Sequence, residues 1–242
     1  MKAMVLAAGL GTRLRPLTDT RPKALVEVGG RTLLGTTLAR LRDFGIGEVI
    51  INVHHFADMI VDYLNGNHNF GMRIEVSREE VLLDTGGGLK KAAWFFLEDS
   101  SRLDTPFILH NVDVISTIDL ARMVQFHTEN QALATLAVQE RQSSRHLLFD
   151  EQLQLCGRGR GQNQKDELVG SSSQAQMKAL AFSGIHVISP RLLTMMTENG
   201  VFSIIDSYLN LAARGEKIIA FRADEYQWRD LGKVEDLRQG GN

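Results

Sequence analysis

The segment LAAGLGTRLRPLT, residues 6–18, follows the apolar run Ala3–Leu6, which we expect to form a buried strand. Gly9 and Gly11 let the backbone approach a ligand closely and present N–H donors without a Cβ in the way. Four cations then fall within eleven positions, at Arg13, Arg15, Arg21 and Lys23. A strand that opens into such a loop predicts an anion-binding site, and a nucleoside triphosphate fits it best.

Two common phosphate-binding loops do not fit this segment. A P-loop requires lysine and then serine or threonine directly after its second glycine, whereas Gly11 is followed by Thr12. A dinucleotide-binding fingerprint requires a third glycine where this chain has Leu14. An ordinary glycine-rich surface turn is the remaining alternative. It is disfavoured because Pro16 and Pro22 stiffen a loop that concentrates positive charge.

The longer pattern around this loop is specific. Gly-x-Gly-Thr-Arg-Leu-Arg-Pro-Leu-Thr, followed by Arg-Pro-Lys-Ala-Leu-Val at 21–26, resembles the N-terminal signature of the sugar-phosphate nucleotidylyltransferases, or NDP-sugar pyrophosphorylases. The resemblance covers nearly the whole chain apart from residues 140–178. It is closest to the short bacterial N-acetylmuramate 1-phosphate uridylyltransferases.

This resemblance implies a Mg²⁺-dependent nucleotidyltransferase that moves NMP from an NTP to a sugar 1-phosphate and releases pyrophosphate. UTP and N-acetylmuramate 1-phosphate are the favoured substrates, which would place the chain in peptidoglycan recycling. Mannose 1-phosphate with GTP, glucose 1-phosphate with UTP or dTTP, and phosphocholine with CTP are alternatives on the same fold. A non-catalytic subunit that senses sugar nucleotides is the alternative from another class.

The resemblance also implies roles for individual residues. Arg13 is expected to hold the β- and γ-phosphates, and Lys23 the α-phosphate, where negative charge builds up. The attacking phosphate is already anionic, so no general base is required. The predicted catalytic residues are Arg13, Lys23 and Asp113. The predicted nucleotide-binding residues are Ala7, Ala8, Gly9, Gly11, Thr12, Arg13, Lys23, Thr85, Gly86, Gly87 and Asn111. The predicted acceptor-binding residues are Ser183, Gly184 and again Asn111.

Two aspartates are candidates for binding the metal ion. Asp113 follows the apolar run Phe107–His110, and Mg²⁺ prefers one or two carboxylates together with phosphate and water oxygens. A turn or helix cap is the alternative for an aspartate at such a position. The resemblance makes Asp113 a metal ligand, although relatives usually have glycine where this chain has Val112. Asp230, within the motif Trp228–Gly232, resembles the second metal ligand of the family.

Two further segments are expected near the substrates. Asp84–Gly88 precedes a helical pattern, so its glycines could present backbone donors to a nucleobase or sugar, although a tight turn is an equal alternative. Phe182–Ile185 matches a family segment beside the acceptor sugar, with a plain strand as the alternative. The Glu-Lys-Pro segment by which larger relatives bind the sugar phosphate is missing. Lys165 and Lys178 are the candidates to replace its lysine.

The composition limits the remaining possibilities. The chain has 242 residues and is 43% hydrophobic, enough for one α/β domain with a sizeable core. A net charge of −2 disfavours nucleic acid as a partner. The single cysteine, Cys156, excludes an internal disulfide and favours a reducing, cytoplasmic location. No stretch is apolar enough to span a membrane, and a monomer or small homo-oligomer is expected.

Strand-like and helix-like patterns alternate along the chain, which predicts a mainly parallel sheet with helices on both faces. The expected fold is therefore α/β, a Rossmann-like three-layer αβα sandwich with a mixed, mainly parallel sheet, as in nucleotide-diphospho-sugar transferases. One domain over 1–242 is expected, with a nucleotide-binding half at 1–139 and an acceptor-binding half at 140–242. Residues 157–176 are rich in Gly, Ser and Gln and are expected to form a mobile excursion.

Overall fold

The computed structural model describes residues 1–99, 104–159, 165–169 and 177–232. Its strands are β1 (Lys2–Leu6), β2 (Glu27–Val28), β3 (Arg31–Thr32), β4 (Glu48–Val53), β5 (Arg73–Arg78), β6 (Phe107–Asn111), β7 (Val114–Ser116), β8 (Ala134–Gln139), β9 (His146–Phe149), β10 (Leu155–Gly159), β11 (Glu167–Leu168), β12 (Lys178–Ile188), β13 (Ile218–Arg222) and β14 (Trp228–Asp230). Its α-helices are α1 (Leu33–Asp43), α2 (Ala57–Gly66), α3 (Asp84–Lys91), α4 (Ala93–Leu97), α5 (Leu120–Glu129), α6 (Arg191–Met195) and α7 (Ile204–Ala213).

One mixed sheet runs through the whole described molecule. Its path is β11-β10-β9-β12-β6-β1-β4-β5, and β8 pairs with both β12 and β13. The pairs β6–β1, β1–β4, β4–β5 and β8–β13 are parallel. β12 is antiparallel to β6, β8 and β9, so it joins residues from both sides of position 139 in one sheet. The predicted α/β class with a mixed, mainly parallel sheet is confirmed.

The core lies on both faces of this sheet. Successive side chains of a strand point to opposite faces. Val5 of β1 accordingly packs in a cluster with Leu38 of α1, whereas the preceding Met4 packs in a second cluster with Phe95 of α4 and Tyr208 of α7. All five of these side chains are fully buried. Central parallel strands buried on two faces explain why β1 and β4 are almost uniformly apolar.

Local signals set the bounds of several helices. The Thr32 hydroxyl accepts from the Gly35 N–H and caps α1, and Gly45, with φ of +90°, ends its last turn. The sequence spacing of Ser203 and Asp206 predicts a capping box, and the two residues form it at the start of α7. The pattern over Gly88–Leu97 predicts a single helix, whereas in the structure α3 begins at Asp84 and α4 follows from Ala93.

Part of the segment 157–176, which the sequence predicts to be a mobile excursion, forms regular structure where the structure describes it. Gly157–Gly159 complete β10, and Glu167–Leu168 form β11, which pairs antiparallel with β10. Arg158 of β10 forms ion pairs with Glu167 and Asp206, both at 2.7 Å. Alternating small and charged residues hid this hairpin from a hydrophobic pattern. Residues 160–164 and 170–176 lie outside the described part of the chain.

Within the described ranges, no helix is both long and apolar enough to cross a membrane.

Candidate active site

The glycine loop folds back on itself between β1 and a 3₁₀ turn at Thr12–Leu14. Gly11 has φ of +65°, and a Cβ on it would lie 2.9 Å from Cγ2 of Thr18 and 3.1 Å from Cβ of Lys23. The Thr18 hydroxyl donates to the Gly11 carbonyl at 2.9 Å. Glycine is therefore required at this position by both its backbone conformation and its close packing. The fold brings Lys23 against the loop although it lies twelve positions further along the chain.

Lys23 and Asp113 form a direct ion pair. Lys23 begins a 3₁₀ turn, its side chain is nearly buried, and its Nζ donates to Oδ2 of Asp113. Asp113 follows β6, and the Val112 N–H donates to the Leu6 carbonyl at 3.2 Å. Val112 packs in the core with 4% of its surface exposed. Val112 thus serves as a core anchor for the segment that carries Asp113.

A small two-stranded sheet brings Asp230 to Asp113. β14 pairs antiparallel with β7, with Asp230 opposite Val114, and the Leu231 N–H donates to the Asp113 carbonyl at 2.9 Å. A Cβ on Gly232 would lie 2.7 Å from Oδ1 of Asp230 and 2.8 Å from a terminal nitrogen of Arg13. The four predicted residues Arg13, Lys23, Asp113 and Asp230 are therefore neighbours in space.

Burial raises the pKa of Asp230, and the nearby charge of Asp113 raises it further. The positive charges of Lys23 and Arg13 lower this pKa, but they do not reverse the shift. Two carboxylates close together repel each other when both are ionised, and a bound cation would relieve that repulsion. The raised pKa of Asp230 is therefore consistent with a cation site. Two carboxylates at the edge of an open cavity suit Mg²⁺, which takes its other ligands from phosphate and water.

A cavity of about 370 Å³ opens beside this cluster. It lies beyond the carboxyl ends of β1 and β6, where ligands bind in open parallel sheets. Five of the predicted site residues line it, namely Ala8, Gly9, Thr85, Asn111 and Asp113. A Cβ built on Gly9 would meet nothing within 4 Å, so this part of the loop faces open space.

One wall of the cavity is supported by two polar residues, Asn52 and Glu79, that are not among the predicted site residues. The Asn52 side chain accepts from the Ala7 N–H at 2.8 Å and donates to Oε1 of Glu79 at 2.7 Å. Oε2 of Glu79 accepts from the Leu83 N–H at 2.9 Å. Asn52 and Glu79 are 3% and 5% exposed, so their network ties the glycine loop to the segment before α3. An asparagine near the end of the apolar strand β4 was the available signal.

His54 belongs to the same wall. Its Nδ1 lies 2.8 Å from the Glu79 carbonyl oxygen. His54 and His55 are adjacent in the sequence, and adjacent residues of a strand point to opposite faces, so the sequence favours a structural role for both.

The glycines of α3 have a different role from the one expected. The N–H groups of Gly86 and Gly87 donate to the Phe202 carbonyl at 2.9 and 3.3 Å, so they are engaged within the protein rather than facing a nucleobase. A Cβ on Gly86 would lie 2.4 Å from the Phe202 ring. The glycines allow α3 to pack closely against the segment that leads into α7. Thr85 lines the cavity, and its hydroxyl accepts from the Ile204 N–H at 3.0 Å.

The predicted acceptor residues lie on an irregular part of β12. Its register shifts between Phe182 and His186, and Gly184 has φ of +75°. A Cβ on Gly184 would lie 2.9 Å from Nδ2 of Asn111, so the structure brings Ser183–Gly184 and Asn111 together as expected. The Ser183 carbonyl accepts from Nε1 of Trp228 at 2.8 Å.

Other cations of the sequence lie apart from this cluster. Arg15 pairs with Asp19 at 3.2 Å on the surface, and Arg21 is exposed. Lys165 is exposed outside regular structure. Lys178 begins β12 five residues before Ser183, about 17 Å away at 3.3 Å per residue.

The fold and the cluster define an α/β protein in which two cationic and two acidic side chains meet beside a cavity. The chain belongs to the nucleotidyl transferase family, which it matches over residues 2–147. It is 34% identical to an N-acetylmuramate alpha-1-phosphate uridylyltransferase of Caulobacter vibrioides, over 95% of this chain and 91% of that protein. It is 29% identical to a mannose-1-phosphate guanyltransferase of Yarrowia lipolytica, over 99% of this chain but 63% of that longer protein.

Solved structures confirm the fold. A putative glucose-1-phosphate thymidylyltransferase of Bacillus anthracis superimposes with a TM-score of 0.81 at 16% sequence identity, over all of this chain and 94% of the other. The family membership and this fold together identify the chain as a nucleotidyltransferase of the sugar-phosphate type.

Proposed function

We propose that this protein transfers UMP from UTP to N-acetylmuramate 1-phosphate and releases pyrophosphate. The observation that carries the reaction is the meeting of Arg13, Lys23, Asp113 and Asp230 at the edge of a cavity beyond β1 and β6. This cluster offers cations and carboxylates, which suit the transfer of a nucleotidyl group to an acceptor phosphate.

The residues of the chain would supply positioning and charge. The nucleotide enters the cavity with its phosphates over Gly9 and Gly11, whose backbone allows a close approach. Lys23 turns from Asp113 to the α-phosphate, where charge builds up during attack by the acceptor phosphate. Arg13 stabilises the pyrophosphate that leaves. The acceptor enters from the side of Asn111 and Gly184.

Asp113 and Asp230 would hold Mg²⁺ when both substrates are present. The raised pKa of Asp230 and the closeness of Asp113 support this assignment. Held by these two carboxylates, Mg²⁺ would supply positive charge that offsets the repulsion between the phosphates of the two substrates.

The length over which the two sequences align supports the proposed acceptor, as does their sequence identity. The similarity to the Caulobacter uridylyltransferase spans nearly all of both proteins, at 95% and 91%. The mannose-1-phosphate guanyltransferase of Yarrowia is matched over 99% of this chain, which makes GTP with mannose 1-phosphate the second candidate.

The test is pyrophosphate release from mixtures of UTP, GTP, CTP or dTTP with N-acetylmuramate, mannose or glucose 1-phosphate or phosphocholine, with Mg²⁺. We expect the highest kcat/KM for UTP with N-acetylmuramate 1-phosphate. The Asp113→Asn variant, which removes one carboxylate, is the matched control for contaminating activity. A preference for another pair would overturn the proposed substrates. Nucleotide binding without turnover in any mixture would instead indicate a sensing subunit.

A further inference from the structure

Arg141 lies flat on Trp228 at the acceptor side of the site. It follows β8 by two residues, and its guanidinium carbon lies 3.6 Å from the centre of the Trp228 ring. One terminal nitrogen donates to the Phe182 carbonyl at 2.8 Å. Trp228 itself donates to the carbonyl of the next residue, Ser183. The arginine and the indole are thus fixed to successive carbonyl groups of β12.

Arg141 is half-buried and, within the residues that the structure describes, has no carboxylate partner, unlike Arg158 and Arg222. Arg158 and Arg222 each pair with two acidic residues at 2.6–3.2 Å. Among the described residues, no carboxylate lies within salt-bridge distance of Arg141. Burial lowers its pKa, and Asp230 is the acidic group whose charge opposes this shift. The guanidinium therefore lies within range of the charge of Asp230 without a carboxylate bound to it.

Two unpaired polar atoms lie beside the stacked side chains of Arg141 and Trp228. In the described part of the chain, the buried side-chain nitrogen and oxygen atoms without a hydrogen-bond partner are Nε of Arg141 and Oγ of Ser183. Buried polar atoms in folded proteins are nearly always paired, so an unpaired pair at one place indicates a missing ligand or solvent partner. Both atoms border the segment that carries Gly184, next to Asn111.

The stack of Arg141 on Trp228 is held in place before any ligand binds. Nε2 of Gln139, the last residue of β8, donates to the carbonyl groups of Ala223 and Tyr226 at 2.8 and 2.9 Å. This fixes the start of the Arg141 segment against the chain that leads to Trp228. A stacked arginine keeps its planar fork in one orientation, so it loses less entropy on binding an anion than a free lysine does.

We propose that Arg141, stacked on Trp228, binds the phosphate of the acceptor and takes the place of the lysine that this chain lacks. The ligand class is a phosphomonoester, whose oxygens accept two parallel N–H bonds from a guanidinium. The assignment rests on the proposed function, because it presumes that a sugar 1-phosphate enters beside Asp230. It replaces the earlier candidates Lys165 and Lys178, which lie on exposed segments.

The kinetic test compares Arg141→Ala and Arg141→Lys with Arg145→Ala, an exposed arginine four residues further along. A charge-assisted hydrogen bond contributes enough to predict a rise of about ten- to a hundredfold in acceptor KM for Arg141→Ala, with the KM for NTP nearly unchanged. Arg141→Lys should recover part of the loss, since it restores the charge without the fork. Equal effects on both substrates, or none on the acceptor, would overturn the assignment.

A binding test separates this inference from the proposed reaction. The chain has two tryptophans, so Trp94→Phe leaves Trp228 as the sole indole. Titration with inorganic phosphate and with glucose 1-phosphate, without metal or nucleotide, should change Trp228 emission in a saturable way. The change should be lost in Arg141→Ala and kept in Arg145→Ala, both in the Trp94→Phe background. Loss here would support the phosphate site even if no substrate mixture turns over. An unaltered titration in Arg141→Ala would overturn it even in an active enzyme.

Discussion

Lys23 has two roles in the proposed site. In the structure it neutralises Asp113, and during the reaction it would neutralise the α-phosphate. Lys23→Ala should lower kcat by about 10²–10³-fold, the size of effect seen when one preorganised donor to a developing charge is removed. Steady-state pyrophosphate release measures this. Lys178→Ala, which removes an exposed lysine far from the cluster, should retain activity. A loss of less than tenfold for Lys23→Ala would remove Lys23 from this role.

Asp230 is held at a cost to stability. Because its pKa is raised in the folded state, its ionised form is less favourable there than in the unfolded chain, and its charge lowers stability near neutral pH. Asp230→Asn keeps an acceptor for the Gly232 N–H but removes the repulsion with Asp113. We expect a higher thermal unfolding midpoint without metal, together with loss of metal-dependent turnover.

Asp224→Asn is the matched control for this prediction. Burial opposes ionisation of Asp224 too, but its hydrogen bond with Arg222 lowers the net pKa. Removing that charge should lower the unfolding midpoint. An equal drop in both variants would show that Asp230 is not under charge repulsion.

Sequence motifs pointed to some residues of the candidate site and gave no signal for others. Arg13, Lys23, Asp113 and Asp230 lie in motifs of mixed chemistry, and the structure brings all four together. Asn52 and Arg141 were missed because their partners are backbone groups and a ring from distant segments. Such roles depend on tertiary contacts, which a local pattern does not encode.

The irregular strand β12 depends on Gly184 in both conformation and space. Gly184→Ala would place a methyl group in a positive-φ position and within 2.9 Å of Asn111 and Val114. Gly200→Ala is the matched control, because Gly200 has the same φ of +75° but nothing within 4 Å of its Cβ position. Both variants lose stability from backbone strain, and Gly184→Ala should lose ~1–3 kcal/mol more from overpacking. Urea unfolding measures the difference, and acceptor KM should rise only in Gly184→Ala. Equal losses would show that β12 accommodates the methyl group.

Long apolar elements were predictable, whereas short polar ones were not. The apolar pattern predicts a strand over Glu48–Val53, and β4 has these bounds, because buried parallel strands have a continuous apolar pattern. β10 and β11 gave no such signal, since their hairpin combines small and charged residues. The bend between α3 and α4 also escaped prediction, because the Gly-rich start of α3 is fixed by contact with Phe202.

Buried histidines on neighbouring elements make the fold sensitive to acid. Burial lowers the pKa of His110 and of His127 to about 4, and that of His186 to about 3. The unfolded chain, with ordinary values near 6.5, therefore binds more protons than the folded state below about pH 6.5. Each histidine can then remove up to ~1.4 kcal/mol of stability per pH unit as the pH falls from 6.5 towards 5.

Urea unfolding at pH 7 and pH 5 measures this effect. His186→Gln should reduce the pH dependence, because glutamine does not titrate, whatever it does to stability at pH 7. His55→Gln, at an exposed histidine, is the control for loss of one histidine. A wild-type free energy of unfolding that is equal at both pH values would contradict the prediction.

At the scale of the whole molecule, the two halves share one sheet and one site. β12, which lies in the second half, pairs with β6 and β8 of the first half and with β9 of the second. Lys23 and Asp113 come from the first half and Asp230 from the second, so the predicted metal site depends on both. We therefore expect the residues on both sides of position 139 to fold as one unit.

This architecture predicts a single cooperative unfolding transition. Trp94 reports on α4 in the first half, and Trp228 reports on β14 in the second. Trp94→Phe and Trp228→Phe each leave one fluorescent probe, and helix content by circular dichroism gives a third signal in the same samples. Because removing either half would expose the shared faces of β6 and β12, the fluorescence transition of each variant should coincide in urea with its own circular dichroism transition. Trp228→Phe also removes the hydrogen bond to Ser183, so its midpoint can be lower while the two signals still coincide. A fluorescence transition separated from the circular dichroism transition in either variant would mean that the halves unfold independently and that β12 does not couple them.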